Sequence, residues 1–376
     1  MKKIICLIMA IGMALSMVAC GNNTTNEIQY DSLNTDKYLE EVASMDEADF
    51  LTYIQDYALS AKPTYILYDI VDSKMDTISE ANRETVRQTE WVSLVYNIAK
   101  YKDLVSIYSE GIVFNDDETF NYEESIANIG DGTFEDIYND MLACGLVICK
   151  RNDNIYVTTD VISFVNRAGE DIGDAFRDYI SIVNEIDKYS FLRDGIVNYE
   201  NIEHCLVFSD NFLKTHKTDK IWETVYQQYY YQTLMYTGLY EIGGFFNEDG
   251  SYNPDFEGLL TEAINEHPNT LFAEIMKLTM DDVLAYVAQN SESSFDYDVL
   301  QTILDNAFTE VLDPYYFEFL KVNYPEEYEE IMDSIALEES IIENDNSIYY
   351  EGDTSENAED STDESTDAEG IEGPNN

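Results

Sequence analysis

From about Asp36 to Leu337, apolar side chains return at steps of three and four with only short polar breaks. That spacing gathers them on one face of a helix, and strands, whose period is two, find little room. Phe50, Leu51, Ile54, Tyr57 and Ala58 form one such stripe, with Ser44 and Glu47 three apart before it as in a capping box. Pro63 separates this helix from two or three more over 64–110, and Gly111 is a fitting stop. Residues 112–132 are acidic and loop-rich, a place where the body could divide into two lobes. Phe134, Ile137, Tyr138, Met141 and Leu142 predict a further helix closing near Gly145.

One stretch changes period. In LVICKRNDNIYVTT two β-prone runs flank Asn152-Asp153, which predicts a hairpin near 146–159. A single long helix is expected from about Asp160 to Lys188, carried by Phe164, Ile172, Phe176, Tyr179, Ile180 and Val183. Asp313-Pro314 is a strong start signal for one of the last helices, and Pro325 suits the opening of another. The expected fold is mainly α: an irregular antiparallel multi-helix body over 35–337 with one β-hairpin, its short connections implying antiparallel neighbours. No fixed repeat period emerges, which argues against a regular solenoid.

The segment of most character is KIWETVYQQYYYQTLMYTGLYEIGGFF, residues 220–246, expected as a helix ended by Gly243-Gly244. Trp222, Tyr226, Tyr229, Thr233, Tyr236 and Tyr240 follow one another at steps of three or four, with Tyr230 and Tyr231 beside them. A tyrosine has an apolar body and a polar tip, so such a face suits either core packing or the stacking of a sugar or peptide. Trp222, Tyr226, Tyr229, Tyr230, Tyr236 and Tyr240 are therefore the candidate ligand-binding residues. Just upstream, Lys214, Lys217 and Lys220 form the densest basic cluster of the chain and could receive a carboxylate or phosphate.

That cluster is unusual because the chain carries 76 acidic and 20 basic residues, a net charge of −56. Fourteen of the acids, and no base, lie after Leu337, so the body itself is strongly negative. Such a charge excludes nucleic acid and anionic lipid as surfaces to lie against, and favours basic partners or divalent cations. The end, 338–376, is low-complexity and acidic; it cannot bury enough surface to offset its ordering entropy and is expected to be disordered.

The chain opens MKKIICLIMAIGMALSMVACGNN. Two lysines precede an apolar run from Ile4 to Ala19, which as a helix would be about 24 Å long against a bilayer core of about 30 Å. A basic start, a short apolar segment and small residues at its end describe a secretory signal. Met17-Val18-Ala19-Cys20 resembles the lipobox of bacterial lipoproteins, with methionine where leucine is usual. The resemblance covers residues 1–20 only. It implies cleavage before Cys20, a diacylglyceryl thioether on its sulfur, and acylation of the new amine; two or more chains anchor stably where one does not. The polar stretch 20–34 then serves as a tether, which places the body near the outer face of a bacterial cell membrane.

The remaining chemistry is sparse. There is no G-x-x-x-x-G-K-[ST], G-x-G-x-x-G, H-E-x-x-H, G-x-S-x-G or S-x-x-K, so nucleotide hydrolysis, zincin proteolysis and penicillin-binding chemistry lose their usual handles. Cys144, Cys149 and Cys205 imply no disulfide framework. His204, His216 and His267 are the only histidines, and His204 adjoins Cys205, where neighbours point apart. The loop NEDGSYNPD fails the EF-hand register, since Phe245 and Phe256 would fall at its first and twelfth positions. No cofactor, metal or catalytic residue is expected. The reading that follows is a lipid-anchored envelope protein whose helical, acidic, non-enzymatic body binds a protein, peptide or glycan. An all-α glycan-active enzyme using a carboxylate pair, and a structural or assembly factor of the envelope, are the two other readings.

Overall fold

The computed structural model describes residues 35–335, apart from 61, 152–153, 190, 194–195, 240–243, 248 and 291–296. The expected signal segment and tether, Cys20, the acidic tail, the tip of the hairpin and Tyr240 lie outside the described residues. The chain divides after Asn323 into two compact units, and a helix over 325–335 with Pro325 at its first position belongs to the second.

The first unit is mainly α, as the apolar period requires. It opens with α1 (Thr35–Val42), α2 (Glu47–Ala58), α3 (Thr64–Lys74) and α4 (Glu80–Ser106). Helix α2 is capped by Asp46, which accepts from the amide of Asp49, and not by Ser44. Helix α4 is the hub of this half: α2, α3, strand β2 and α6 all pack on it. A helix covered on most sides loses its amphipathic signature, and α4 buries Arg87, Glu90, Trp91, Val92, Leu94 and Asn97 around its circumference. After a short 3-10 turn ending at Gly111 come α5 (Tyr122–Ile129) and α6 (Gly132–Ala143), so a helix stands inside the stretch expected to be loop. Strands β1 (Leu146–Arg151) and β2 (Asn154–Thr159) form the expected hairpin, with Leu146 opposite Thr159.

The long helix expected over 160–188 is two helices, α7 (Val161–Ala168) and α8 (Asp174–Asp187). Gly169 takes φ +57° and ψ −130°, a conformation no other residue type adopts without strain. The apolar period runs on across the break because Phe164, Phe176, Tyr179, Ile180 and Val183 still enter one core. The short strands β3 (Leu192–Arg193) and β4 (Ile196–Val197) form a second, two-residue ladder before α9 (Tyr199–Thr215) and α10 (Trp222–Thr237). Helix α10 stops at Gly238, left-handed at φ +86°, ahead of the Gly243-Gly244 end read from sequence.

Helices α11 (Pro254–Glu266), α12 (Leu271–Gln289) and α13 (Tyr297–Asn323) complete the unit. Pro314 starts no helix; it lies inside α13. Its ring removes one main-chain hydrogen bond, and the helix persists because Phe308 and Leu312 before it and Phe319 and Leu320 after it are all buried.

The structure also reveals a duplication. Phe114-Asn115-Asp116-Asp117-Glu118-Thr119-Phe120-Asn121 recurs as Phe246-Asn247-Glu248-Asp249-Gly250-Ser251-Tyr252-Asn253. The Asn115 amide donates to Thr119 O at 2.8 Å, and Asn247 to Ser251 O at 2.9 Å. Asp117 accepts from the Thr119 hydroxyl, and Asp249 from that of Ser251, each at 2.6 Å. These bonds hold both carboxyls below the usual carboxylate range. Phe114 bridges Phe120 and Phe246 bridges Tyr252. Asn121 caps α5, and Asn253 caps α11. The flanking helices correspond too: α3 packs on α4 and α6 as α9 packs on α10 and α12. The two tryptophans, Trp91 on α4 and Trp222 on α10, precede their loops by similar distances.

Candidate functional site

Helix α10 is covered on several sides, which decides the fate of its aromatic side chains. Trp222, Tyr229 and Tyr236 are buried, Tyr226 and Tyr230 half-buried, and Tyr231 exposed. An aromatic seam joins α10 to α13: Trp222 lies 5.4 Å from Phe319, Tyr226 5.8 Å from Tyr316, and Tyr230 5.0 Å from Phe308. The Trp222 indole donates to Leu213 O at 2.8 Å. The Tyr229 hydroxyl donates to Asp210 at 2.9 Å, in the core between α9 and α10. Burial pushes the Asp210 carboxyl up, and the Tyr229 hydroxyl and the Leu271 amide oppose the push. Trp222, Tyr229 and Tyr236 thus pack the interior and present no face to a ligand. The surface share of the candidate set falls to Tyr226 and Tyr230, with Tyr231 beside them; the Tyr230 hydroxyl donates to Asp305 at 2.6 Å.

The lysine cluster is used internally. Lys214 donates to Asn269 O at 3.0 Å, and Lys217 pairs with Glu318 at 2.8 Å. A carboxylate does meet Lys217, but it comes from α13 of the same chain.

The largest ion network among the described residues lies in the first half. Glu90, fully buried on α4, receives Arg87 at 2.9 Å and Arg167 at 3.0 Å. Arg87 continues to Asp171 at 3.0 Å and Arg167 to Asp72 at 2.8 Å. Burial pushes the Glu90 carboxyl up while both guanidiniums oppose the push. Every charge has a partner, so the network ties α3, α4, α7 and the turn after α7 together. Cys144, Cys149 and Cys205 form no disulfide. Cys144 is buried 3.6 Å from the Tyr101 hydroxyl, and burial pushes its thiol up, which makes it a poor nucleophile.

The three histidines each meet a carboxylate. His204 lies 2.9 Å from Glu185, His216 2.8 Å from Asp178, and His267 3.0 Å from Glu203. Among the described residues, only the last pair gathers a third potential metal ligand. Glu203, Glu266 and His267 each bring one ligand atom into a group whose members all lie within 4.8 Å of one another, the one such cluster among the described residues. Glu203 comes from α9, Glu266 ends α11, and His267 is the residue that closes that helix. His267 is held by its backbone: its amide donates to Ala263 O at 3.1 Å, and its carbonyl accepts from the Thr270 hydroxyl at 2.7 Å. The other oxygen of Glu203 accepts a long bond, 3.4 Å, from the buried Tyr236 hydroxyl. Tyr236 is fixed by Tyr199, Phe256 and Phe272 at 5.3–5.8 Å. Burial and the neighbouring Glu266 charge push the Glu203 carboxyl up, and His267 opposes them. One turn before Tyr236 on the same helix, Gln232 is buried with neither side-chain polar atom partnered. Sequence reasoning missed this group because Glu203 and His267 are 64 positions apart.

No protein-family model matches the chain, and no curated protein or solved structure matches it either.

Proposed function

We propose that this protein is a bacterial envelope lipoprotein whose acidic helical body is a non-enzymatic binding or adaptor domain for a protein, peptide or glycan. The observation that carries the reading is the Met17-Val18-Ala19-Cys20 motif at the end of a short apolar run behind two lysines. Acyl chains on Cys20 hold the body to the outer face of the membrane through the tether 20–34. A lipid anchor is consistent with a body in which, among the described residues, no helix is long and apolar enough to cross a membrane. A net charge of −56 selects partners that carry basic groups. Tyr96 and Tyr231, 47% and 44% exposed, supply aromatic contact area on the body.

Membrane fractionation of the wild type beside Cys20→Ser tests the anchor. The wild type is expected in the membrane fraction and the variant in the soluble or uncleaved pool. Equal partitioning of the two when both have lost residues 1–19, or a native N-terminal Cys20 with no added lipid mass, refutes the proposal.

A further inference from the structure

We propose that Glu203, Glu266 and His267 bind one Zn²⁺ ion at the junction of α9, α11 and α12. The donor set is one imidazole and two carboxylates. Such a set suits zinc better than calcium or magnesium, which take all-oxygen sites. Two donors on a tetrahedral zinc stand about 3.3 Å apart, given metal–ligand bonds of about 2.0–2.1 Å. His267 Nε2 and Glu203 Oε1 are 3.0 Å apart, and the Glu266 oxygen lies within 4.8 Å of both. A small rotation of the exposed Glu266 side chain completes three ligands. Three protein ligands leave a fourth position for water or for a side chain of a partner.

Three further observations separate this group from an ordinary ion pair. The His204 and His216 pairs show what an ordinary pair looks like in this chain. Glu185, beside His204, already has Lys188 at 2.5 Å, and Asp178 stands with His216 without a gathered third ligand. Glu203 is supported from behind by Tyr236, the kind of outer hydrogen bond that orients a ligating carboxylate. The duplicated helix gives the third. In the first copy, α5 ends on Gly130, left-handed at φ +66°, whereas α11 ends on His267. The first copy closes the corresponding helix without a histidine, so ending a helix at this place does not by itself call for His267.

Titration calorimetry of the full-length protein in detergent, with ZnCl₂ and excess Mg²⁺ to occupy diffuse carboxylates, tests the site. The expected result is one saturable Zn²⁺ site per chain in the wild type and in His216→Ala, lost in His267→Ala. Tyr236→Phe, which keeps the ring and removes only the hydroxyl, weakens binding about tenfold. Co²⁺ in place of Zn²⁺ should give d–d bands of tetrahedral intensity, far stronger than those of aqueous Co²⁺, in the wild type, and X-ray absorption should show a nitrogen ligand. A wild type with no saturable site and no such Co²⁺ bands overturns the proposal. So does a folded His267→Ala variant that binds Zn²⁺ as the wild type does. Should His267→Ala not fold, the wild-type Co²⁺ spectrum and the Tyr236→Phe affinity decide alone.

Discussion

At the scale of residues, the polar tips of buried side chains decide which tyrosines are structural. Tyr229 spends its hydroxyl on Asp210, a carboxylate that also takes the Leu271 amide and lies 3.7 Å from Lys214. Tyr229→Phe keeps the packing and leaves Asp210 one donor short. A hydrogen bond to a charged group contributes about 1.5–3 kcal/mol, so the variant should lose about 2 kcal/mol in urea denaturation. A loss below about 0.5 kcal/mol would show that the Tyr229–Asp210 bond contributes little to the fold. Asp140 works in the opposite sense. It sits in the last turn of α6, where the helix dipole disfavours an anion, and burial pushes its carboxyl up to about 6. The folded state therefore holds this proton where the unfolded chain has released it. Stability falls as pH rises from about 4 to about 6 and is flat above. Asp140→Asn should stabilise by about 1 kcal/mol at pH 7, with the gain vanishing below pH ~4. A gain that does not change between pH 4 and 7 would show that the proton plays no part.

At the scale of elements, the duplicated loop is an internal control. Its fifth position is left-handed in both copies, Glu118 at φ +62° and Gly250 at φ +77°. A side chain in that conformation costs about 1 kcal/mol, partly offset by the greater freedom of glycine in the unfolded chain. Glu118→Gly should therefore stabilise the protein by about 0.5 kcal/mol, and Gly250→Ala should destabilise it by about 1 kcal/mol. Denaturant midpoints of the two variants check the pair; shifts of the same sign would mean that the loops are not equivalent. The duplication was legible in the sequence as F-N-[DE]-D-x-[ST]-[FY]-N. A search for a fixed period misses it because the helices after the two loops differ in length, 8 residues in α5 against 13 in α11. Two of the helix-boundary differences show the causes at work. Gly169 breaks a stripe whose apolar spacing continues, and Pro314 fails to break one whose packing continues.

At the scale of the whole molecule, charge opposes compactness. A chain at −56 repels itself over distances set by the Debye length, which falls from about 10 Å at 0.1 M salt to about 3 Å at 1 M. The melting temperature should rise by several degrees between 0.1 M and 1 M NaCl. A flat or falling curve would show that the paired charges, such as the Glu90 network, already neutralise the field where it matters.

The mainly helical class, the hairpin at 146–159 and most core positions were determined by the sequence alone, because a period of 3.6 or 2 is a local property of the chain. Which face of a helix stays exposed is not local. The face of α10 that reads as a binding surface is covered by α9 and α13, so Trp222, Tyr229 and Tyr236 became interior residues. Glu203, Glu266 and His267, unremarkable along the chain, met only when α9 and α11 came together. The tertiary structure alone decided both outcomes, since burial and ligand convergence depend on what distant segments bring to the same few ångströms.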